Sequence, residues 1–153
     1  MYIEAAFHQL DVAAASLSKM FACMDETMLA ERPFEKKRSI GELASHISIV
    51  MQADLEIMNG SSAEEMDRFY RMKEENTLEG MQKALSEGLE RLTAVYRSFS
   101  ENELAEPMTS YWGVSYTRYE WLLEIVAHLY HHRAQLHVML TAIDVETDVS
   151  LFE

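Results

Sequence analysis

The sequence has 153 residues, of which 48% are hydrophobic and 25% are charged, values typical of a single globular domain over residues 1–153. Its formal net charge of −13 argues against nucleic-acid binding, because a phosphate backbone would repel so acidic a chain. No apolar run approaches the roughly 20 residues of a membrane span, no signal peptide is evident, and the lone Cys23 cannot form an internal disulfide, so we expect a cytoplasmic protein.

The composition indicates an all-α fold. Five glycines, two prolines and few runs of β-branched residues argue against a sheet protein. Eleven methionines and abundant Ala, Leu and Glu favour helices instead. Four stretches of the chain carry apolar residues at helical spacing, and a long connection separates the second stretch from the third. We therefore predict a four-helix bundle.

The first predicted helix covers residues 3–24. Its apolar residues are spaced alternately by four and three positions, which gives one continuous seam along about six turns. The seam consists of Ile3, Phe7, Leu10, Ala14, Leu17, Phe21 and Met24. We expect Cys23 to be a small buried residue rather than a nucleophile, since free cysteines are among the most buried residue types.

The second predicted helix begins at Ser39, which forms a capping box with Glu42. His46 lies on or next to the apolar face of this helix, because it follows Leu43 by three residues and precedes Val50 by four. A lone histidine is an unusual choice at a position that faces a core. His46 is therefore a candidate functional residue.

Residues 61–76 are strongly charged and form the long second connection, which we expect to be partly helical. The third helix is predicted to begin at Asn76, capped with Glu79, and to extend to Phe99. Residues 100–116 are predicted to be a loop. The loop contains Tyr111, Trp112 and Tyr116. Such aromatic residues can cover a site, or they can simply seal the end of the bundle.

The fourth predicted helix begins at Thr117, which forms a capping box with Glu120, and runs to Ile143. Its apolar stripe has one gap, and His132 fills that gap. His128 lies one turn before it, so the two imidazoles project from one face roughly 40° apart. This pair can chelate a metal ion, but it can also be a pair of core histidines that bond to carbonyls or to a carboxylate.

Two segments carry a resemblance to a known family: RSIGELASHI, residues 38–47, and HLYHHRAQL, residues 128–136. Their content and separation resemble the DinB/YfiT-like superfamily, whose members share this helix order across essentially the whole chain. The resemblance implies a metal site formed by His46, His128 and His132. Many relatives have Trp immediately before the residue that caps the second helix, whereas this chain has Arg38 and so lacks any substrate contact made by that aromatic ring.

The resemblance also implies a range of activities. Family members include metal-dependent thiol S-transferases that use bacillithiol, mycothiol or related thiols, metal-dependent hydrolases, isomerases, and proteins without an assigned reaction. Three neutral imidazoles leave a coordination position open, as catalytic metal sites do. We expect transfer of a low-molecular-weight, bacillithiol-type thiol to an electrophile. The alternatives are hydrolysis at the same ion and a non-catalytic helical binding or stress-response module.

The remaining expectations concern the cofactor, the general base and the assembly. We expect Zn²⁺ or Ni²⁺, because imidazole suits both ions. Glu42 and Glu124 each precede a histidine by four residues and can orient it or accept a proton. Since Glu42 already caps a helix, we favour Glu124 as the catalytic residue. Residues 107–116 would cover an apolar small-molecule substrate, and the continuous seams with eleven methionines favour a homodimer.

Overall fold

The computed structural model describes residues 3–150 and is predominantly helical, which confirms the all-α prediction. The elements along the chain are α1 (Ile3–Ala22), a 3₁₀ helix (Glu26–Ala30), α2 (Ile40–Met58), α3 (Ala63–Lys73), α4 (Leu78–Ser98), α5 (Glu101–Leu104), β1 (Pro107–Thr109), β2 (Ser115–Thr117) and α6 (Arg118–Thr141). The long second connection is partly helical, as predicted, because it contains α3.

The four long helices α1, α2, α4 and α6 pack around a continuous apolar core. Helix α2 contacts α4 and α6, and α1 also contacts both of them. The seam predicted for the first helix is buried from Phe7 to Met24, while Ile3 at its start is half-buried, and Leu10 and Leu17 are fully inaccessible. Helix α2 is the most enclosed, since 15 of its 19 residues are buried. No helix within residues 3–150 combines the length and the apolar character needed to cross a membrane.

Serine and threonine caps determine where several helices begin. The capping boxes lie at Ser39, Ser62, Ser100 and Thr117, and each pairs with the glutamate three residues later. The boxes predicted for the second and fourth helices are therefore confirmed. The start predicted at Asn76 is wrong by one residue, because it is the Thr77 hydroxyl that accepts from the Gly80 amide, at 3.1 Å.

The segment predicted as a loop before the fourth helix is more ordered than the sequence indicated. It contains α5 and an antiparallel hairpin in which Pro107 pairs with Thr117. Gly113 supplies the positive φ of 91° in the connection between the strands. The Trp121 indole donates to the Met108 carbonyl at 3.0 Å and so ties the hairpin to α6. Strands of three residues are too short to show an alternating pattern, which is why the sequence did not reveal them.

The prediction that Cys23 is buried is wrong, since its side chain is exposed. Helix α1 ends at Ala22, so Cys23 already belongs to the turn that follows the helix. The next residue, Met24, returns to the core and is 8% exposed. The helical periodicity from which the burial of Cys23 was inferred therefore ends before this residue.

Candidate metal centre

Three histidines from two helices meet between α2 and α6. His46 lies on α2, about two turns after the helix begins, while His128 and His132 lie one turn apart on α6. The two helices pack directly against each other. His132 is buried, and the other two side chains are half-buried. The structure thus brings together the three histidines that the sequence singled out.

The ring nitrogens of the three histidines converge. Nε2 of His132 lies 3.1 Å from Nε2 of His46 and 2.9 Å from Nε2 of His128. The three candidate ligand nitrogens all lie within 4.8 Å of one another. Zn–N bonds of about 2.0–2.1 Å place two tetrahedral ligands roughly 3.3 Å apart, so this spacing suits a shared ion. Within residues 3–150, no other group of three such side chains is close enough to hold a metal ion.

In two of the rings, Nδ1, the nitrogen that does not face the cluster, is hydrogen-bonded to an acceptor. Nδ1 of His128 lies 2.7 Å from Oδ2 of Asp54, and Nδ1 of His132 lies 2.8 Å from Oε1 of Gln135. In a neutral imidazole, the nitrogen that donates holds the only proton. Nε2 of both rings therefore presents a lone pair to the cluster. Two lone pairs at 2.9 Å repel each other unless a cation or a proton lies between them, so the donor set fits a metal ion.

Burial keeps two of the histidines uncharged at neutral pH. It lowers the pKa of His46 to about 3, and the positive charge of Arg38 adds to this lowering. Burial also lowers the pKa of His132 to about 4. The hydrogen bond to Asp54 instead raises the pKa of His128. Because these pKa values lie far below 7, His46 and His132 are neutral at neutral pH. Neutral imidazole is the form that binds metals.

Asp54 is the carboxylate that orients His128, whereas the sequence favoured Glu124 or Glu42 for such a role. Asp54 is only 8% exposed, and its place as a charged residue in the apolar stretch of α2 marks it as unusual, although the sequence does not show which histidine it contacts. Glu42 is engaged in the capping box at the start of α2. Glu124 is exposed and lies with His128 on the wall of a cavity. The prediction that Glu124 orients His128 is therefore wrong, while its role as a general base stays a prediction.

A cavity of about 690 Å³, here called the aromatic cavity, adjoins the histidine cluster at His128. Its walls include Asp54, Glu124 and His128. Its aromatic lining consists of Tyr70, Tyr111, Trp112, Tyr116 and Trp121. Burial raises the pKa of Tyr70 to about 12, so its hydroxyl stays protonated at neutral pH and can donate a hydrogen bond. The volume and lining are those of a small-molecule site, and the hairpin supplies part of the wall.

The sequence and the fold are both similar to those of known proteins. The sequence profile of the DinB superfamily matches residues 9–136. A crystal structure from Exiguobacterium sibiricum, of a protein assigned to the DinB family, is similar with a TM-score of 0.85 and 29% identity, over 97% of this chain and 96% of that chain. A DinB-like protein from Bacillus cereus has a TM-score of 0.78 and 15% identity, over 98% of this chain and 99% of that chain.

A more distant likeness extends to an enzyme, the mycothiol-dependent maleylpyruvate isomerase. Its TM-score is 0.64 at 12% identity, over 98% of this chain and 63% of that chain. At this identity the likeness shows a shared fold alone. Among proteins of curated function, none matches this sequence. The profile match spans most of the chain, and the chain therefore belongs to the DinB superfamily.

Proposed function

We propose that the protein is a metal-dependent enzyme that transfers a low-molecular-weight thiol, of the bacillithiol type, to an electrophilic small molecule. The observation that carries the proposal is the convergence of three histidine nitrogens beside a cavity with aromatic walls. The likeness to a mycothiol-dependent isomerase is compatible with thiol chemistry on this fold. It does not determine the reaction, since one fold hosts unrelated chemistries.

His46, His128 and His132 would hold the ion, with Zn²⁺ or Ni²⁺ expected because imidazole suits both. When bound, such an ion supplies Lewis acidity that favours the thiolate form of a thiol at neutral pH. Asp54 and Gln135 keep the Nδ1 protons of two rings in place, so that the Nε2 lone pairs stay directed at the centre of the cluster. Three protein ligands leave a position for a substrate atom.

Other residues of the site would bind the electrophile and accept the proton. Tyr111, Trp112 and Trp121 offer apolar surface to the electrophile and exclude water from it. In the reaction, the sulfur–carbon bond forms while the bond between that carbon and the leaving group breaks. The leaving group departs with the electron pair of the broken bond. The thiol proton passes to the carboxylate of Glu124 and from there to solvent.

Hydrolysis at the same centre is the second candidate function. The position of Glu124 favours it, because a carboxylate on the wall of the aromatic cavity can accept a proton from water as well as from a thiol. No thiol would then be needed for turnover. Dependence of the rate on a thiol therefore separates the two reactions.

Assembly as a homodimer belongs to the same proposal. Met72 is 83% exposed and Leu123 is 45% exposed, although both side chains are large and apolar. Burial of such side chains against a second copy of the chain would remove apolar surface from water.

The substrates would be small molecules, which the aromatic cavity can contain.

To test the proposal, metal-loaded protein is incubated with 1-chloro-2,4-dinitrobenzene and a panel of thiols, and conjugate formation is measured by absorbance. We expect conjugation with at least one thiol and its loss in His46→Ala. His8→Ala is the matched control, because it removes an exposed histidine outside the cluster. Turnover of ester or amide substrates without a thiol would instead support hydrolysis. Metal-loaded protein that is inactive in every assay would contradict both reactions and favour a non-catalytic binding module.

A further inference from the structure

A second cavity, of about 550 Å³, lies between the segment that precedes α2 and the C-terminal half of α6. Its apolar wall is formed by Phe34, Leu43, Val138 and Met139. Its cationic lining consists of Lys36, Lys37 and Arg38. We call this cavity the basic groove. Phe34 is 42% exposed and Val138 is 53% exposed, so the groove presents apolar surface to solvent next to three positive charges.

The three cations of the basic groove stand out in a chain with a net charge of −13. Among the residues from 3 to 150, no carboxylate forms an ion pair with Lys36, Lys37 or Arg38. Nearby, Arg32 is already paired with Glu42 at 3.0 Å. Glu42 also lies close enough to Arg38 for the two charges to interact, but its carboxylate is in direct contact with Arg32. Positive charges without a carboxylate in direct contact attract an anion, while the acidic remainder of the surface repels it. The groove therefore suits an anion that also has an apolar portion.

Hydrogen bonds connect the basic groove to the histidine cluster. Gln135 lines the groove, accepts from Nδ1 of His132 at 2.8 Å and donates from its amide to Nε2 of His131 at 3.0 Å. His131 lines both the basic groove and the aromatic cavity. Arg38 lies close enough to His46 for its charge to act on that ring. The two cavities thus share a wall at His131, and the basic groove reaches the histidine cluster through Gln135, while His46, His128 and His132 do not line the groove. A thiol held in the groove would therefore extend past Gln135 to reach the cluster.

We infer that the basic groove binds the carboxylate end of the thiol cosubstrate, so that the protein selects a thiol with a carboxylate over a neutral thiol. The inference rests on the proposed function, because it assigns the thiol to the groove and the electrophile to the aromatic cavity. Arg38 can form two parallel hydrogen bonds with a carboxylate. The carbon skeleton of the thiol would lie along Phe34 and Met139.

Direct binding tests the basic groove without any transfer reaction. The probes are S-benzyl-N-acetylcysteine and its primary amide, which differ in the carboxylate alone, and calorimetric titration of the full chain measures their Kd. We expect the acid to bind about tenfold more tightly than the amide, a preference that weakens at high salt. Arg38→Gln and the double variant Lys36→Gln/Lys37→Gln should lose most of this preference. Arg68→Gln, which removes an exposed charge on α3, should keep it. Equal affinity of the wild type for acid and amide would overturn the inference.

A kinetic comparison assigns the carboxylate to the thiol rather than to the electrophile. With N-acetylcysteine and its amide as thiols, the KM should be lower for the acid, and the difference should disappear in Arg38→Gln. With 4-chloro-3-nitrobenzoate and the matching benzamide as electrophiles, Arg38→Gln should change both KM values equally. An effect confined to the electrophile pair would contradict the assignment. If no thiol is transferred at all, the proposed function fails, while the calorimetric preference still decides whether the groove binds carboxylates.

Discussion

The hydrogen bond between Asp54 and Nδ1 of His128, 2.7 Å long, determines which ring nitrogen faces the cluster. Replacement of Asp54 by Asn keeps the size of the side chain but removes its charge. The ring then loses its strong acceptor, and its Nε2 is less firmly directed at the centre. We expect Asp54→Asn to lower the metal affinity about 10- to 100-fold, as measured by competition with a chelating dye.

Asp11→Asn is the matched control for this prediction, because it makes the same chemical change at an exposed position on α1. Its metal affinity should equal that of the wild type. Circular dichroism of both variants shows whether the helices are retained. If folded Asp54→Asn protein binds metal as tightly as the wild type, then Asp54 does not orient a ligand.

The three histidines of the cluster could be predicted from the sequence, whereas the residue that orients one of them could not. Helical periodicity places His46 and His132 on inward faces, and a spacing of four residues brings His128 beside His132. The contact between Asp54 and His128 joins two helices at a separation of 74 residues. Which residues meet across that distance depends on the rotation of each helix about its axis, and periodicity in one helix does not give that rotation relative to its neighbour.

The capping box of α6 stabilises the helix that carries two of the three histidines. The Thr117 hydroxyl accepts from the Glu120 amide at 3.1 Å, and the Glu120 carboxylate accepts from the Thr117 amide at 2.8 Å. Thr117→Ala removes the first of these bonds and leaves an amide of the first turn without its partner. We expect the free energy of unfolding to fall by about 1 kcal/mol, measured by urea denaturation.

Ser86→Ala provides the comparison, because it removes an exposed hydroxyl in the middle of α4, where no cap is involved. Its free energy of unfolding should change by a few tenths of a kcal/mol at most. A Thr117→Ala protein that is as stable as Ser86→Ala would show that the box contributes nothing measurable.

Among the elements, the long helices could be predicted and the hairpin could not. Long helices repeat their apolar spacing over several turns, and α2, α4 and α6 each begin after a capping serine or threonine. The strands of the hairpin span three residues each, so their pattern has no room to repeat. What holds the hairpin in place is the bond from the Trp121 indole to the Met108 carbonyl, and a contact with a main-chain atom leaves no trace in the sequence.

At the scale of the whole molecule, we predict a homodimer, because apolar side chains such as Met72 and Leu123 remain exposed on the single chain. Light scattering at micromolar concentration should give twice the 17.7 kDa mass of one chain. A mass of one chain under these conditions would contradict the prediction. The methionines would then serve to fill an irregular core.

The helical class and the acidic charge of the molecule could be predicted from composition, since both are sums over all residues. The two cavities could not, because each is lined by segments that are distant in the chain. The basic groove, for example, joins Arg38 to Gln135, and the aromatic cavity joins Tyr70 to Trp112. Such neighbours are defined only once the four long helices are packed.

His46, His128 and His132 are proposed to hold one divalent ion, and elemental analysis of protein purified without an affinity tag tests this most directly. We predict one equivalent of zinc or nickel per chain in the wild type and in the control His8→Ala. His128→Ala and His132→Ala should retain little metal, because each loses one of three ligands. Equal metal content in the wild type, His128→Ala and His132→Ala would contradict the account.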